Sequence, residues 1–285
     1  QNNLVPESCE DRLVKIRPAI NHMRKKYTQI ESENQFSIDE MMVPYKSLAG
    51  RQKLCLPAKP RRWGFKIFVH AGVSGFVYDF FVYTGKFTFD GATQILLKEF
   101  GLGVTVVLHL FKTIRNLPDC VVYFDNFFTS LSFLTYLKDS MGLRSLGTIG
   151  KNRLMGCKLE DEVDNDTQLA IVKWADNKTV TLVSTCASVM PVGEVKRFSK
   201  KKTVAEYNHH MGGVDLADMM IALYRTQAKS HRWYLCIFWQ LIDIAVNNAW
   251  LLYRRDSTAV GPVKLKKLKA FRLDVAKGLI YPEKQ

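Results

Sequence analysis

The chain has 285 residues, of which 47% are apolar and 24% charged, a composition that excludes a disordered, collagen-like or low-complexity protein. It is long enough for one large domain or two modest ones. Lysine and arginine number 41 against 27 acidic residues, and the net charge of +14 favours a polyanionic partner, either nucleic acid or an anionic membrane surface. The alternative is a basic protein that binds no polyanion.

The cysteines and the apolar runs bear on the compartment. The six cysteines form no C-x-x-C pair and no zinc-spaced cluster with histidine, so we predict a reducing compartment without a disulfide framework. Residues 1–20 lack the basic segment and apolar core of a signal peptide, and the missing initiator methionine indicates a fragment. The longest apolar stretch, residues 234–253, is interrupted by one glutamine, one aspartate and two asparagines, which favours a buried core helix over a membrane span.

The predicted elements begin with a helix. Residues 11–31 repeat apolar side chains at three- and four-residue steps, with Pro18 as a kink or helix break. Residues 35–38 predict a short strand. Residues 53–88 are rich in β-branched and aromatic side chains punctuated by glycines, and they predict two or three antiparallel strands with tight turns. Residues 101–115 predict a second helix.

A fully apolar run of strand length, residues 120–124, is typical of a central buried strand. An amphipathic helix follows at residues 129–138, with Thr129 or Ser130 as its cap, and a short strand follows at residues 144–150. The alternation of strands and helices up to this point predicts an α/β fold with a mixed sheet and crossover helices.

The composition changes after residue 150. An acidic patch precedes two strand-like runs, 170–174 and 179–185, which an Asp-Asn-Lys turn sequence joins, and a basic run follows. We interpret residues 151–202 as an insertion with a small β-unit outside the central sheet. From Thr203 the pattern is helical again, with a long apolar helix at residues 233–253.

Four aspartates interrupt apolar elements. Asp39 follows the first predicted strand, Asp125 follows the central strand, and Asp215 and Asp218 share one face if their segment is helical. Hard divalent cations need oxygen ligands, and two such ions can activate the attacking oxygen and stabilise the leaving oxygen in phosphodiester displacement. The alternatives are a helix N-cap for Asp39, turn chemistry for Asp125, and a solvated first-turn pair for the other two.

The sequence around these aspartates resembles the piggyBac transposase family, and the resemblance extends over nearly the whole chain. The segments that carry the resemblance are, in order, FSIDEMMVPYKSLAGRQKLCLPAKPRRWGFKIF, VVYFDNFFTS, VKWADNKTVTLVST, YNHHMGGVDLADMM and RWYLCIFWQLIDIAVNNAWLLYRR. The resemblance implies an RNase H-like core and cut-and-paste DNA transposition at TTAA targets with Mg²⁺ or Mn²⁺, as two ions. It implies Asp39, Asp125 and Asp215 as catalytic metal ligands and Asp218 as a further metal ligand. Double-stranded DNA, a homodimer and a nuclear location follow as expectations.

The resemblance also implies a division of the chain. Residues 1–33 and 225–285 are expected to form a helical dimerisation and DNA-binding region, residues 34–151 and 203–224 the catalytic core, and residues 152–202 an insertion domain. The family's C-terminal cysteine-rich zinc domain has no counterpart in this sequence, so we expect DNA binding without end specificity. Two alternatives are a domesticated DNA-binding or chromatin protein that has lost transposition, and a basic RNA-processing nuclease on the same core.

Basic residues interleaved with aromatic ones suit phosphate contacts and base stacking. The candidate DNA-binding residues are Arg51, Lys59, Arg61, Arg62, Lys66, Lys229, Arg232 and Trp233. The alternatives are a solvated sheet face with Trp63 as a core anchor, and burial of Trp233. The basic run at residues 264–269 is a second phosphate patch, a nuclear-import signal or a solvated face. His209 and His210 have no further cysteine or histidine at ligand spacing, which disfavours a zinc site there.

Overall fold

The computed structural model describes residues 11–45, 53–55, 62–114, 117–154, 162–164, 169–175, 179–186, 202–228, 230–261 and 264–281. Its strands are β1 (Gln35–Pro44), β2 (Leu54–Cys55), β3 (Trp63–Gly72), β4 (Val77–Val82), β5 (Val121–Phe124), β6 (Arg144–Thr148), β7 (Glu162–Asp164), β8 (Leu169–Ala175) and β9 (Thr179–Ser184). Its α-helices are α1 (Arg17–Tyr27), α2 (Gly91–Phe111), α3 (Leu131–Met141), α4 (Lys202–His210), α5 (Gly213–Leu223), α6 (Trp233–Val260) and α7 (Leu268–Ile280).

All the described strands belong to one mixed sheet. The order is β2-β3-β1-β5-β6-β9-β8-β7, and β4 also pairs with β3. The pairs of β1 with β5 and of β5 with β6 are parallel, and α3 crosses between β5 and β6. The other pairs are antiparallel. The predicted mixed α/β fold is therefore confirmed.

The expectation of a β-unit outside the central sheet is wrong. Strand β9 pairs with β6, with Gly147 opposite Val183, and β8 extends the same sheet beyond β9. An unpaired β6 would leave a row of backbone donors and acceptors at the edge of the sheet, and β9 satisfies them. Val183 and Leu182 are also fully buried, on opposite faces. The limits of the insertion domain, 152–202, remain a prediction, and the Asp-Asn-Lys turn lies outside the described residues.

Three other elements differ from the sequence predictions. Pro18 lies in the first turn of α1, where its missing N–H costs no hydrogen bond, so it starts the helix instead of breaking it. Helix α2 begins at Gly91, because the Asp90 side chain accepts from the Thr93 N–H at 2.9 Å and caps it; the predicted start at residue 101 coincides instead with a kink, where Gly101 has φ +78°.

Strand β1 continues to Pro44, so Asp39 lies inside the strand and not at its end. No helix follows it there, which removes the N-cap alternative for Asp39. Ser130 caps α3 through the N–H of Phe133, as predicted. The reason for the longer strand is the pairing with β3, which extends antiparallel from Phe36 to Pro44.

Helices cover both faces of the sheet. One face carries Phe36 and Ile38, which pack with α2 and α3, and the other carries Met41 and Val43, which pack with α1, α5 and α6. Helices α2 and α6 are long and apolar enough to cross a membrane by length and composition. One face of α6 is nevertheless fixed in the protein interior, since the buried side chain of Asn248 exchanges hydrogen bonds with the backbone of Val77 at 3.0 and 2.8 Å.

Candidate active site

Asp39 and Asp125 lie side by side where β1 and β5 stop pairing. Ile38 is the register partner of Phe124, and one of the two aspartates follows each of them. Neighbouring strands are roughly 4.8 Å apart, so the two residues leave the sheet at the same level. Strand alternation puts Asp39 on the face of Ser37, the face on which α5 packs.

Helix α5, which carries Asp215, starts over β1 beside Ser37, two residues before Asp39. The N–H of Val214 donates to Ser37 Oγ at 3.1 Å, and this bond fixes the start of the helix over β1. A Cβ atom on Gly213 would collide with the carbonyl of Gly72, so only glycine permits this close approach. Asp215 lies in the first turn of α5, two residues after Gly213, and it is exposed.

The hydroxyl of Tyr207, on α4, has a raised pKa. Burial raises the pKa of Tyr207 to about 12, a hydrogen bond with Thr148 acts in the opposite direction, and the negative charges of Asp125, Asp39 and Asp215 add to the increase. Within the described residues, no group of three or more His, Cys, Asp or Glu side chains is already arranged to hold a metal ion.

The turn after β5 is held from two sides. Asp125 Oδ1 accepts from the Phe127 N–H at 2.8 Å, and the hydroxyl of Thr129 donates to the Asp125 carbonyl at 2.8 Å. From beyond β6, Arg153 Nη1 donates to the carbonyls of Asn126, Phe127 and Thr129 at 2.6, 3.3 and 2.9 Å. The Asp125 side chain therefore takes part in the turn, and its bond with the Phe127 N–H also orients the carboxylate.

Asp218 has a basic neighbour. Its Oδ1 lies 3.4 Å from Arg225 Nη2, an ion pair at the C-terminal end of α5. Asp218 is thus oriented by Arg225, one helical turn after Asp215. Spacing along the sequence did not indicate this pair, because the two residues are separated by seven positions and the helix ends between them.

A second cluster joins α4 to β5 and was missed by the sequence analysis. The buried Tyr123 donates to Glu206 Oε1 at 3.0 Å, and the ring of His210 stacks on that of Tyr123 at 5.0 Å. His210 Nδ1 is also 3.3 Å from Glu206 Oε1. These contacts anchor α4 to β5 two residues before Asp125. The sequence pattern indicated a helix from Thr203, and it considered His210 only as a disfavoured zinc ligand.

The candidate DNA-binding residues differ in their surroundings. Four of them lie outside the described residues: Arg51, Lys59, Arg61 and Lys229. Arg62 and Arg232 are exposed. Lys66 is only 9% exposed, and its ammonium lies 3.5 Å from Glu40, which is at odds with a phosphate contact. Trp233 is half-buried, and its ring centroid lies 6.2 Å from that of Phe65, which favours the packing alternative.

Trp63 is exposed, unlike Trp233. It is 54% exposed, and the ammonium of Lys53 lies 4.6 Å from its ring centroid. The core-anchor alternative for Trp63 is therefore wrong, because its side chain does not enter the core. Its ring is exposed to solvent beside the Lys53 ammonium.

A mixed sheet with Asp39 and Asp125 side by side, and with Asp215 in a helix that starts over β1, is the arrangement that the sequence analysis expected of a transposase core. Residues 1–250 match the family described as Transposase IS4, and the chain belongs to that family. PiggyBac transposable element-derived proteins 3 and 2 of Homo sapiens are 29% and 27% identical to it over 271 and 274 residues. Each match covers 86% of this chain, and 44% and 45% of the relative.

A solved structure has the same fold. The cryo-EM structure of a piggyBac transposase synaptic complex with hairpin DNA superposes with a TM-score of 0.77 at 21% identity, over 97% of this chain and 60% of that one. The resemblance to the piggyBac family predicted from the sequence is confirmed. The chain spans less than half the length of the two human relatives.

Proposed function

We propose that this chain is the catalytic region of a DNA transposase, which cleaves and joins phosphodiester bonds in cut-and-paste transposition at TTAA sites. The observation that carries the proposal is the parallel register that puts Asp39 beside Asp125, together with the bond from Val214, the residue before Asp215, to Ser37 of β1. Membership of a transposase family and a fold shared with a DNA-bound transposase support it.

The donor set fits divalent metal ions. Three carboxylates from two strands and one helix offer oxygen ligands only, the kind that Mg²⁺ and Mn²⁺ prefer. We propose that Asp39, Asp125 and Asp215 hold these ions, with Asp218 as a further ligand. When bound, two such ions activate the attacking oxygen and stabilise the leaving one. The turn at Asp125 and the close packing of Gly213 hold the carboxylates on a rigid support.

Double-stranded DNA is the proposed substrate and partner. The net charge of +14 attracts a polyanion, and the exposed Arg62, Trp63 and Arg232 offer phosphate and stacking contacts. Because phosphate binding releases counterions, log affinity should fall linearly with log salt concentration. A homodimer and a nuclear location are part of the same proposal.

The test uses the full-length protein and a duplex that carries its own flanking DNA. Incubation with Mg²⁺ should give excision with TTAA restored, and chelation of the metal should prevent it. Asp39→Asn, Asp125→Asn and Asp215→Asn should each abolish excision while DNA is still bound. Binding without excision by the wild type would instead favour the alternative of a transposase-derived DNA-binding protein.

A further inference from the structure

Lys66 of β3 pairs with the residue that follows Asp39. In the antiparallel ladder with β1, Glu40 is the register partner of Phe68. Lys66 lies two residues before Phe68, so it is the diagonal neighbour of Glu40 on the same face of the sheet. The ammonium of Lys66 lies 3.5 Å from Glu40 Oε2, and the two side chains are only 11% and 18% exposed. Because the pair is largely buried, salt screens it little.

The same ammonium contacts the turn that follows β5. It lies 5.1 Å from the ring centroid of Phe127 and 4.5 Å from that of Phe68, distances at which an aromatic ring attracts a cation. The Phe127 N–H donates to Asp125 Oδ1 at 2.8 Å, and the Phe127 ring meets that of Phe128 edge-on at 5.0 Å. One ammonium therefore connects Glu40 of β1 with the turn that orients Asp125.

This connection lies where the sheet no longer joins the two segments. The parallel ladder between β1 and β5 ends at Ile38 and Phe124, one residue before each aspartate. The bonds from Thr129 and Arg153 hold the turn after β5 to the start of α3 and to the segment beyond β6, and neither bond involves β1. Beyond the ladder, the separation of the two aspartates thus depends on side-chain contacts, and Lys66 supplies contacts to both sides.

We propose that Lys66 is a positioning residue of the proposed reaction, on which this inference rests, and that its ammonium holds the Asp125 turn at a fixed distance from Asp39. Two carboxylates act together only at a defined separation, and a displacement of about 1 Å can cost on the order of 100-fold in rate. Lys66 acts through the turn and not on the DNA. Its loss therefore changes the rate of the chemical step and leaves DNA affinity as it was.

The first experiment measures single-turnover cleavage of a transposon-end duplex by the full-length protein, with DNA affinity at several salt concentrations. Lys66→Met keeps an apolar stem and removes the charge, and we expect a rate about 10-fold lower with an unchanged salt dependence of binding. Lys66→Arg retains a cation and should restore most of the rate. Lys86→Met is the matched control and should have no effect, because the exposed Lys86 also lies 5.1 Å from a phenyl centroid, that of Phe87.

The second experiment needs neither DNA nor metal. Hydrogen exchange of the Phe127 N–H in the metal-free protein reports its bond to Asp125. We expect this exchange to be about 5-fold faster in Lys66→Met, because a less restrained turn opens more often. The Thr93 N–H, which donates to Asp90 at 2.9 Å at the start of α2, is the internal reference and should exchange at the same rate in both proteins.

A double variant separates the missing connection from the charge left behind. Lys66→Met leaves Glu40 without its cation, and adding Glu40→Gln removes that charge as well. The double variant should still cleave slowly and exchange fast at Phe127. Recovery of both would overturn the inference, as would unchanged Phe127 exchange in Lys66→Met, or a salt slope reduced by about one, which would place Lys66 on a phosphate. These results leave the proposed function intact, whereas a wild type that does not cleave would overturn both.

Discussion

Arg272 of α7 donates to the carboxylate of Asp243 on α6 at 2.7 Å, and that carboxylate is only 1% exposed. Asp243 also accepts from the backbone N–H and the hydroxyl of Thr226, at 2.9 and 2.8 Å. Thr226 lies in the segment that follows α5, so one buried carboxylate connects α6, α7 and the end of the helix that carries Asp215.

Removing Arg272 while Asp243 remains should lower the stability of the protein. Arg272→Leu leaves Asp243 with an uncompensated buried charge, and we expect the free energy of unfolding to fall by about 3–5 kcal/mol in urea titrations. Lys266→Ala breaks the exposed pair with Asp274 and is the control, with no expected change in melting temperature. The double variant with Asp243→Leu should recover part of the loss; if it does not, the cost arises from lost packing.

Asp125→Asn should separate structure from chemistry. Asparagine keeps the Oδ1 atom that accepts from the Phe127 N–H, so the turn is preserved while the negative charge is lost. We expect Mg²⁺-dependent cleavage to be abolished with DNA affinity nearly unchanged. Asp125→Ala also loses the turn acceptor and should be less stable than Asp125→Asn by about 1 kcal/mol. Cleavage at a near wild-type rate by Asp125→Asn would exclude it as a ligand.

Asp218→Asn should be milder than Asp215→Asn. The charge of Asp218 is already balanced by Arg225, and asparagine retains an oxygen that can accept from the guanidinium. We expect about a 10-fold loss of cleavage rate for Asp218→Asn, the scale of a supporting position, against complete loss for Asp215→Asn. Single-turnover rates measured side by side decide the order, and equal losses would place the two residues in the same role.

His70 should make stability depend on pH. Burial lowers its pKa to about 4, against a smaller opposing effect of Asp79, while the unfolded chain protonates near 6.5. Between these values the unfolded state binds the extra proton, so stability falls as pH falls through this window and is unaffected by His70 above it. From pH 7 to pH 5 we expect a loss of about 2 kcal/mol from this residue.

The measurement is urea unfolding of wild type and His70→Phe at both pH values. The variant should show a smaller loss between pH 7 and pH 5, because a phenyl ring cannot take up the proton. His209→Gln, at an exposed position, should behave as the wild type does. An equal pH dependence in all three proteins would exclude His70 as the source.

The sequence pattern predicted the strands before Asp39 and Asp125. The pairing of those strands, which the sequence does not give, determines which residues become neighbours. The apolar run ending at Phe124 and the short run ending at Ile38 were both visible, and their parallel register then places Asp39 beside Asp125. The partner of Asp218 could not be predicted, since it depends on how the chain leaves α5. Strand β9 was assigned to the wrong sheet because composition carries no information on which strand edge is open.

Arg153 lies at the start of the stretch interpreted as an insertion, yet the carbonyls that it binds belong to the Asp125 turn. Exchanging residues 152–202 between relatives would therefore alter the support of the Asp125 turn together with the outer strands. A chimaera with its first junction after Arg153 keeps that support. A boundary drawn from sequence at residue 152 thus separates Asp125 from an arginine that supports its turn.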